Sequence, residues 1–415
     1  MRTDAFFYDG PALLCDGVRL ADIAASEGTP AYVYSAAAIE RAYRDLDGAF
    51  GDYPHRLHYA LKANSTLGIV RQLQRLGSGA DVNSVGELEV ALRAGFGPAD
   101  IVFTGVGKRE DEIQRAVALG VHAINAESPG EIARIREAAA RHGGTARVAI
   151  RVNPDVDAGS HPNITTGLAT SRFGMPVDAA EALCREVAGR DGLRLVGLHA
   201  HIGSQMCSVE PIRKAAQTLV ALAGRLRAGG VPIDHVDLGG GLGIPYDDGT
   251  CVAVADYAAT VRSVVEPSGL RLLLEPGRAI VAASGVLLTR VIDIKTFPNG
   301  LRFAIVDAGM TELLRPALYG AYHRIEPVSR RAGAEEPFEI VGPLCETSDT
   351  YGKRRPMPPI AVGDVLAVRD AGAYGSVMAS NYNRRLLAPE LLVESGAWRT
   401  IRRRQTLDHL LALEP

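Results

Sequence analysis

From Leu57 onward the chain alternates short apolar runs with longer stretches whose apolar residues recur every three or four positions. The short runs read as buried strands: Leu57–Leu61, Ala80–Asn83, Ile101–Thr104, His122–Asn125, Arg147–Val152, Leu195–Ile202, His235–Leu238 and Arg271–Leu274. The stretches between most of them predict helices, among them Ser65–Leu76, Gly86–Ala94, Arg109–Leu119, Ser128–His142 and Val209–Ala228. Ser65, Ser84 and Ser128 are expected N-caps, the last followed by Pro129 at the first helical position. Eight strands alternating with helices over roughly 220 residues is the count of a (β/α)₈ TIM-like barrel. A doubly wound parallel sheet is the alternative, because strand order is not written in the sequence.

After about Gly285 the period changes. Gly285–Ile294, Leu301–Asp307, Glu339–Val341 and Asp364–Arg369 have β character and turn-rich connections, which predicts an antiparallel β-sandwich or barrel-like C-terminal domain. Two further strand-like runs, Ala5–Tyr8 and Ala31–Tyr34, precede the alternation. The basic run Arg399–Arg404 reads as a solvated terminal face.

Composition narrows the partners. With 415 residues, 47% hydrophobic and 22% charged, the chain has the balance of a soluble two-domain protein. A net charge of −3 gives no electrostatic case for a nucleic-acid or membrane partner. The first residues carry no apolar signal core, and no stretch is long enough to span a bilayer. Five cysteines, an odd count with no C-x-x-C pair, argue against a disulfide framework or a zinc site and predict a reducing, cytoplasmic setting without a metal.

The unusual residues collect at strand ends, where barrel enzymes carry their sites. Lys62 ends the first strand and Asp81 lies in the second. His199 and His201 end the sixth, Gly239-Gly240-Gly241 the seventh, and Glu275-Pro276-Gly277-Arg278 the eighth. A lysine there is costly if charged and unpaired, and its neutral amine can attack an aldehyde. Bare glycine amides after strands seven and eight suit a phosphate. A dinucleotide Gly-x-Gly-x-x-Gly site is the competitor, but the run comes late and no acidic residue follows at the required distance. Lysine, imidazole, glycine cradle and acid together suit pyridoxal 5'-phosphate, with the aldehyde on Lys62, the phosphate on the glycines and the ring nitrogen on Glu275.

On these residues the chain resembles the fold-type III pyridoxal-phosphate-dependent decarboxylases, and among them the diaminopimelate branch. The landmarks are Tyr59–Asn64, His201–Gln205, Leu238–Gly241, Glu275–Arg278, Arg315–Tyr319, Gly342–Glu346 and Asp370–Gly375. The resemblance implies a cofactor-binding barrel over 35–283, a β domain from 1–34 plus 284–415, and a homodimer with shared active sites. It implies Lys62 as the Schiff-base lysine, His201 stacked on the ring, and Ser204, Gly240, Gly241, Gly277 and Arg278 holding phosphate and ring with Asp81 and Glu275. Arg278, Arg315 and Tyr319 would take substrate carboxylate, Cys345 would donate a proton, Glu346 would lie beside it, and Tyr374 would touch cofactor and substrate. The expected reaction is loss of CO₂ from meso-2,6-diaminopimelate to give L-lysine; decarboxylation of ornithine, arginine or a glutamyl-type substrate is the alternative. Arg278, Arg315 and Glu346 match a far end bearing both carboxylate and ammonium. One departure is visible: Thr347-Ser348-Asp349 follows Cys345-Glu346 where Ser-Gly-Asp is expected, which alters a loop beside the site.

Overall fold

The computed structural model describes residues 5–159, 165–168, 170–247 and 249–414; Met1–Asp4, part of the segment read for a signal core, lie outside them. The chain divides into two compact units. Strands β1 (Phe6–Asp9), β2 (Ala12–Cys15) and β3 (Val18–Arg19) form a small antiparallel sheet, and β4 (Ala31–Ser35) follows. All four belong to the unit that also holds Pro245–Gly249 and everything from Ile280 onward.

The other unit, Tyr43–Ile244 with Thr250–Ala279, is the barrel. Its strands are β5 (His55–Ala60), β6 (Gly79–Val82), β7 (Ile101–Phe103), β8 (Ala123–Ala126), β9 (Ala146–Asn153), β11 (Leu193–His199), β12 (His235–Asp237) and β13 (Arg271–Leu274), with a two-residue β10 (Met175–Pro176) paired outside β9. They pair in parallel in the order β9, β11, β12, β13, β5, β6, β7, β8, and β8 pairs back onto β9. The sheet therefore closes, which excludes the doubly wound alternative.

Each strand is short and almost wholly buried, as expected where helices cover a parallel sheet. Two of the expected caps form: Ser84 Oγ accepts the Glu87 N–H and Ser128 Oγ the Glu131 N–H. Ser65 is not a cap. The helix starts one residue later, at Leu67, after Thr66, which makes no side-chain capping bond. The sixth strand is also shorter than predicted. It stops at His199, and Ala200–Gln205 runs on as loop, with Gln205 in the left-handed region at φ 64°.

The cysteine reading needs one correction. Cys207 and Cys251 are joined as a disulfide across 44 residues of sequence. Their segments follow adjacent strands, β11 and β12, and spacing along the chain does not reveal that proximity. Cys15, Cys184 and Cys345 remain free.

In the β unit, β14 (Gly285–Thr296), β15 (Arg302–Val306), β16 (Ile325–Pro327), β17 (Glu336–Val341), β18 (Thr350–Met357), β19 (Val365–Val368), β20 (Glu390–Glu394) and β21 (Ala397–Arg402) join β4. The sheet is mostly antiparallel, but β15–β17 and β4–β20 pair in parallel. The basic run is only partly solvated. Arg402 pairs with buried Glu390 at 2.9 Å, and the Arg404 guanidinium donates to the carbonyls of Glu27 and Pro30. Among the described residues no helix is long and apolar enough to cross a membrane.

Candidate active site

Lys62 lies just past β5, in a single 3₁₀ turn (Leu61–Ala63), so its side chain leaves the strand end rather than continuing the pleat. Its Nζ is 3.3 Å from Oδ2 of fully buried Asp81 on β6, while a third of the lysine side chain is open to solvent. Burial first, and the neighbouring Glu275 charge second, push the Asp81 carboxyl up, against the pull of Lys62.

Glu275 ends β13 and is the hub of this face. Thr104 Oγ1 and Asn125 Nδ2 donate to its Oε1 at 3.2 and 3.4 Å, and His199 Nε2 bonds Oε2 at 3.3 Å. Burial raises its carboxyl, but the combined pull of His199, Lys62 and His201 outweighs burial and holds it well below the usual carboxylate range. Asp237, at the end of β12, moves the opposite way: burial and the Glu275 charge push its carboxyl well above the usual carboxylate range. Ligand atoms of His199, Asp237 and Glu275 lie within 4.8 Å of one another. Two carboxyls that close in a dry site disfavour ionising together, in keeping with the opposite directions in which Glu275 and Asp237 move.

The glycines are bare for steric reasons. A Cβ on Gly240 would stand 2.2 Å from the Glu275 carbonyl oxygen, and one on Gly241, at φ 107°, 2.4 Å from that of Gly203. The Gly240 N–H donates to His201 Nδ1 at 3.1 Å, which leaves the proton of a neutral ring on Nε2. Burial, then the Lys62 charge, keep that imidazole neutral. Arg278 is buried and donates to Ser204 Oγ at 2.9 Å through Nη2. Gly277 packs against Ala63, with a hypothetical Cβ 2.8 Å from the alanine methyl. Lys62, Asp81, His201, Ser204, Gly240, Gly241, Glu275, Gly277 and Arg278 thus share one end of the barrel. A lysine amine, a bare backbone cradle, a neutral imidazole and a buried anionic carboxylate fit pyridoxal 5'-phosphate.

The remaining expected residues lie in the β unit. Arg315 opens a one-turn helix, Arg315–Tyr319, and is buried, while Tyr319 is half-buried. Cys345 and Glu346 sit on an exposed turn. That turn is anchored from beneath by Asp349, which is buried and accepts the N–H groups of Met310 at 2.6 Å and Leu344 at 2.8 Å. Ser348, at the position of the departure, donates its hydroxyl to Glu346 Oε2 at 3.1 Å. Tyr374 is half-buried and held in the left-handed region at φ 56°, a strained backbone for an aromatic residue.

Sequence reasoning missed Thr104, Asn125 and Asp237, and assigned no task to His199. The signal was present: each is a polar residue at or just beyond the C-terminal end of an apolar barrel strand, the rule that found Lys62 and Glu275. Asp349 and His323 had no comparable signal, because no periodicity marks a loop.

A family model described as "Pyridoxal-dependent decarboxylase, pyridoxal binding domain" matches residues 36–282. The diaminopimelate decarboxylase of Pseudomonas aeruginosa is 47% identical over 411 residues, covering 99% of each chain; that of Vibrio cholerae is 45% identical over 414 residues, again 99% of each. Among solved structures, diaminopimelate decarboxylase from Helicobacter pylori complexed with L-lysine superposes with a TM-score of 0.92 at 40% identity, over 95% of this chain and 98% of that one. The M. jannaschii enzyme in co-complex with L-lysine gives 0.95 at 36% identity, over 100% and 98%. The chain belongs to the pyridoxal-dependent decarboxylases, and within them to the diaminopimelate decarboxylase family.

Proposed function

We propose that this chain removes CO₂ from the D-configured centre of meso-2,6-diaminopimelate to give L-lysine, as a cytoplasmic homodimer at the end of lysine synthesis. The observation that carries this reading is Glu275, a fully buried carboxylate kept charged at a barrel mouth that also presents Lys62. Pyridoxal 5'-phosphate, when bound, supplies the electron sink for the pair left behind as CO₂ departs. Lys62 would hold its aldehyde, and the Glu275 charge would keep its ring nitrogen protonated. His201 would stack on the ring. Ser204, Gly240, Gly241, Gly277 and Arg278 would hold the phosphate side, and Asp81 would orient the lysine.

Arg278, Arg315 and Tyr319 bind the far carboxylate, Glu346 the far ammonium, and Tyr374 reaches both cofactor and substrate. Cys345 returns a proton to the former α-carbon through its thiol. Cys345 and Glu346 are supplied by a second copy of the chain. We take the barrel as 35–283 and the β domain as 1–34 plus 284–415.

An assay of the cofactor-loaded protein for CO₂ and L-lysine tests the reading. Lysine should form from meso-diaminopimelate, with no product from ornithine or arginine. Comparable turnover of ornithine would replace this substrate assignment with the alternative.

A further inference from the structure

The Arg315–Tyr319 helix ends at Gly320, in the left-handed region at φ 60°, and the chain turns back on itself. That reversal brings His323 onto the residue eight positions before it. His323 is fully buried. Its Nδ1 lies 2.8 Å from the Arg369 carbonyl oxygen and its Nε2 2.8 Å from Arg315 Nη1. A carbonyl only accepts and a guanidinium only donates. Both bonds form at once in one state alone: a neutral ring with its proton on Nδ1 and its lone pair on Nε2. Tyr246 completes the setting, its ring 4.5 Å from the guanidinium carbon of Arg315 and edge-on to His323 at 5.3 Å.

We propose that His323 is a positioning residue that aims Arg315 at the far carboxylate of the substrate; this rests on the assignment of Arg315 above. A guanidinium is planar, so fixing one N–H on Nε2 and the face on Tyr246 sets the direction of the other donors. A neutral acceptor does this without cancelling charge. A carboxylate at position 323 would hold Arg315 equally well but neutralise the attraction that the anionic substrate needs. Nothing in the motif Arg315–Tyr319 points to this residue, which lies four positions beyond it.

The test uses the cofactor-loaded protein with His323→Asn, His323→Gln and Arg315→Ala. Asparagine is too short to put an acceptor where Nε2 stood; glutamine reaches it. Each variant is measured for kcat and KM with meso-diaminopimelate, and for binding of L-lysine, which keeps the far carboxylate, and of cadaverine, which has none. His323→Asn should raise KM and the lysine Kd about tenfold, the size of one hydrogen bond to a charged group, with kcat changed less than about threefold. His323→Gln should return both to within about threefold of the parent, and cadaverine should bind all of them alike. Unchanged lysine binding in His323→Asn, beside a loss in Arg315→Ala, would overturn the positioning role and leave the Arg315 assignment intact. Normal lysine binding in Arg315→Ala would remove both. Equal weakening toward lysine and cadaverine would make His323 a structural residue only.

Discussion

The barrel mouth and the Cys345–Ser348 turn are built in opposite ways. At the mouth, Glu275, His199, Asp81 and Asp237 are closed off from water and bonded or charge-coupled to one another. The carboxyls of Asp81, Asp237 and Glu275 are shifted by burial and by neighbours on the same chain. The turn carrying Cys345 and Glu346 is exposed; Asp349 anchors it from below, and the hydroxyls of Ser348 and Tyr382 bond Glu346 at the surface. A proton donor and an ammonium ligand discriminate best where water is excluded. Under the proposed function, a single chain would finish the part that holds the cofactor and leave open the part that selects the substrate, as expected if a second copy covers the turn.

Breaking the barrel half should have the largest effect. Lys62→Ala is expected to reduce turnover below detection and to abolish borohydride-fixable cofactor colour, because the Lys62 amine is the one proposed to hold the aldehyde. Fixable colour that survives dialysis would assign that task to another lysine. Altering the turn should act selectively. Glu346→Gln keeps shape and removes charge, and kcat/KM for meso-diaminopimelate should fall about 10- to 200-fold. An analogue without the far amine should lose far less; an equal loss on both would mean that Glu346 serves Cys345 instead.

The barrel also carries a titrating weakness. The rings of His58, His122 and His235 pack at centroid distances of 5.9 and 5.6 Å, His122 between the other two. Burial, then the charges of Arg147, Arg271 and Arg56, push the His122 imidazole down to about 4. The ring is neutral when folded and protonates near pH 6.5 when unfolded, so its contribution is full above that and is lost as pH falls toward about 4. Between pH 7 and 5 this one ring should cost about 2 kcal/mol. His122→Phe keeps the stack and should reduce the pH dependence of urea melts by that amount; an unchanged slope would refute the assignment. The smallest effect belongs to the departure in the turn. Ser348→Gly removes one exposed hydrogen bond to Glu346 and should raise KM by less than about threefold, without touching kcat. A larger change would make Ser348 a determinant of substrate preference.

Much of this contrast was legible in the chain. All eight barrel strands coincide with apolar runs, the sixth stopping short at His199, and Lys62, Glu275 and the glycines announce themselves by breaking apolar strand ends. Burial shifts and charge coupling did not, because they depend on which strands become neighbours: Asp237 matters only because β12 lies beside β13. The Cys207–Cys251 pairing was illegible for the same reason, and so was the parallel insertion of β4 beside β20. His323 escaped because its task is set by a reversal at Gly320 rather than by any repeat. The turn, by contrast, was located by its resemblance alone, since an exposed loop obeys no period.

The claim that the two halves meet from different chains is tested most directly by mixing. Lys62→Ala and Cys345→Ala proteins are each inactive under this account, but unfolded, mixed and refolded together with cofactor they form heterodimers. Each heterodimer would hold one mouth with an intact lysine facing an intact turn, and a second in which both groups are missing. Random pairing makes about half of the dimers mixed, so the mixture should recover about a quarter of parental activity toward meso-diaminopimelate. No recovery, with heterodimers confirmed by native mass spectrometry, would contradict the account and mean that each chain completes its own site.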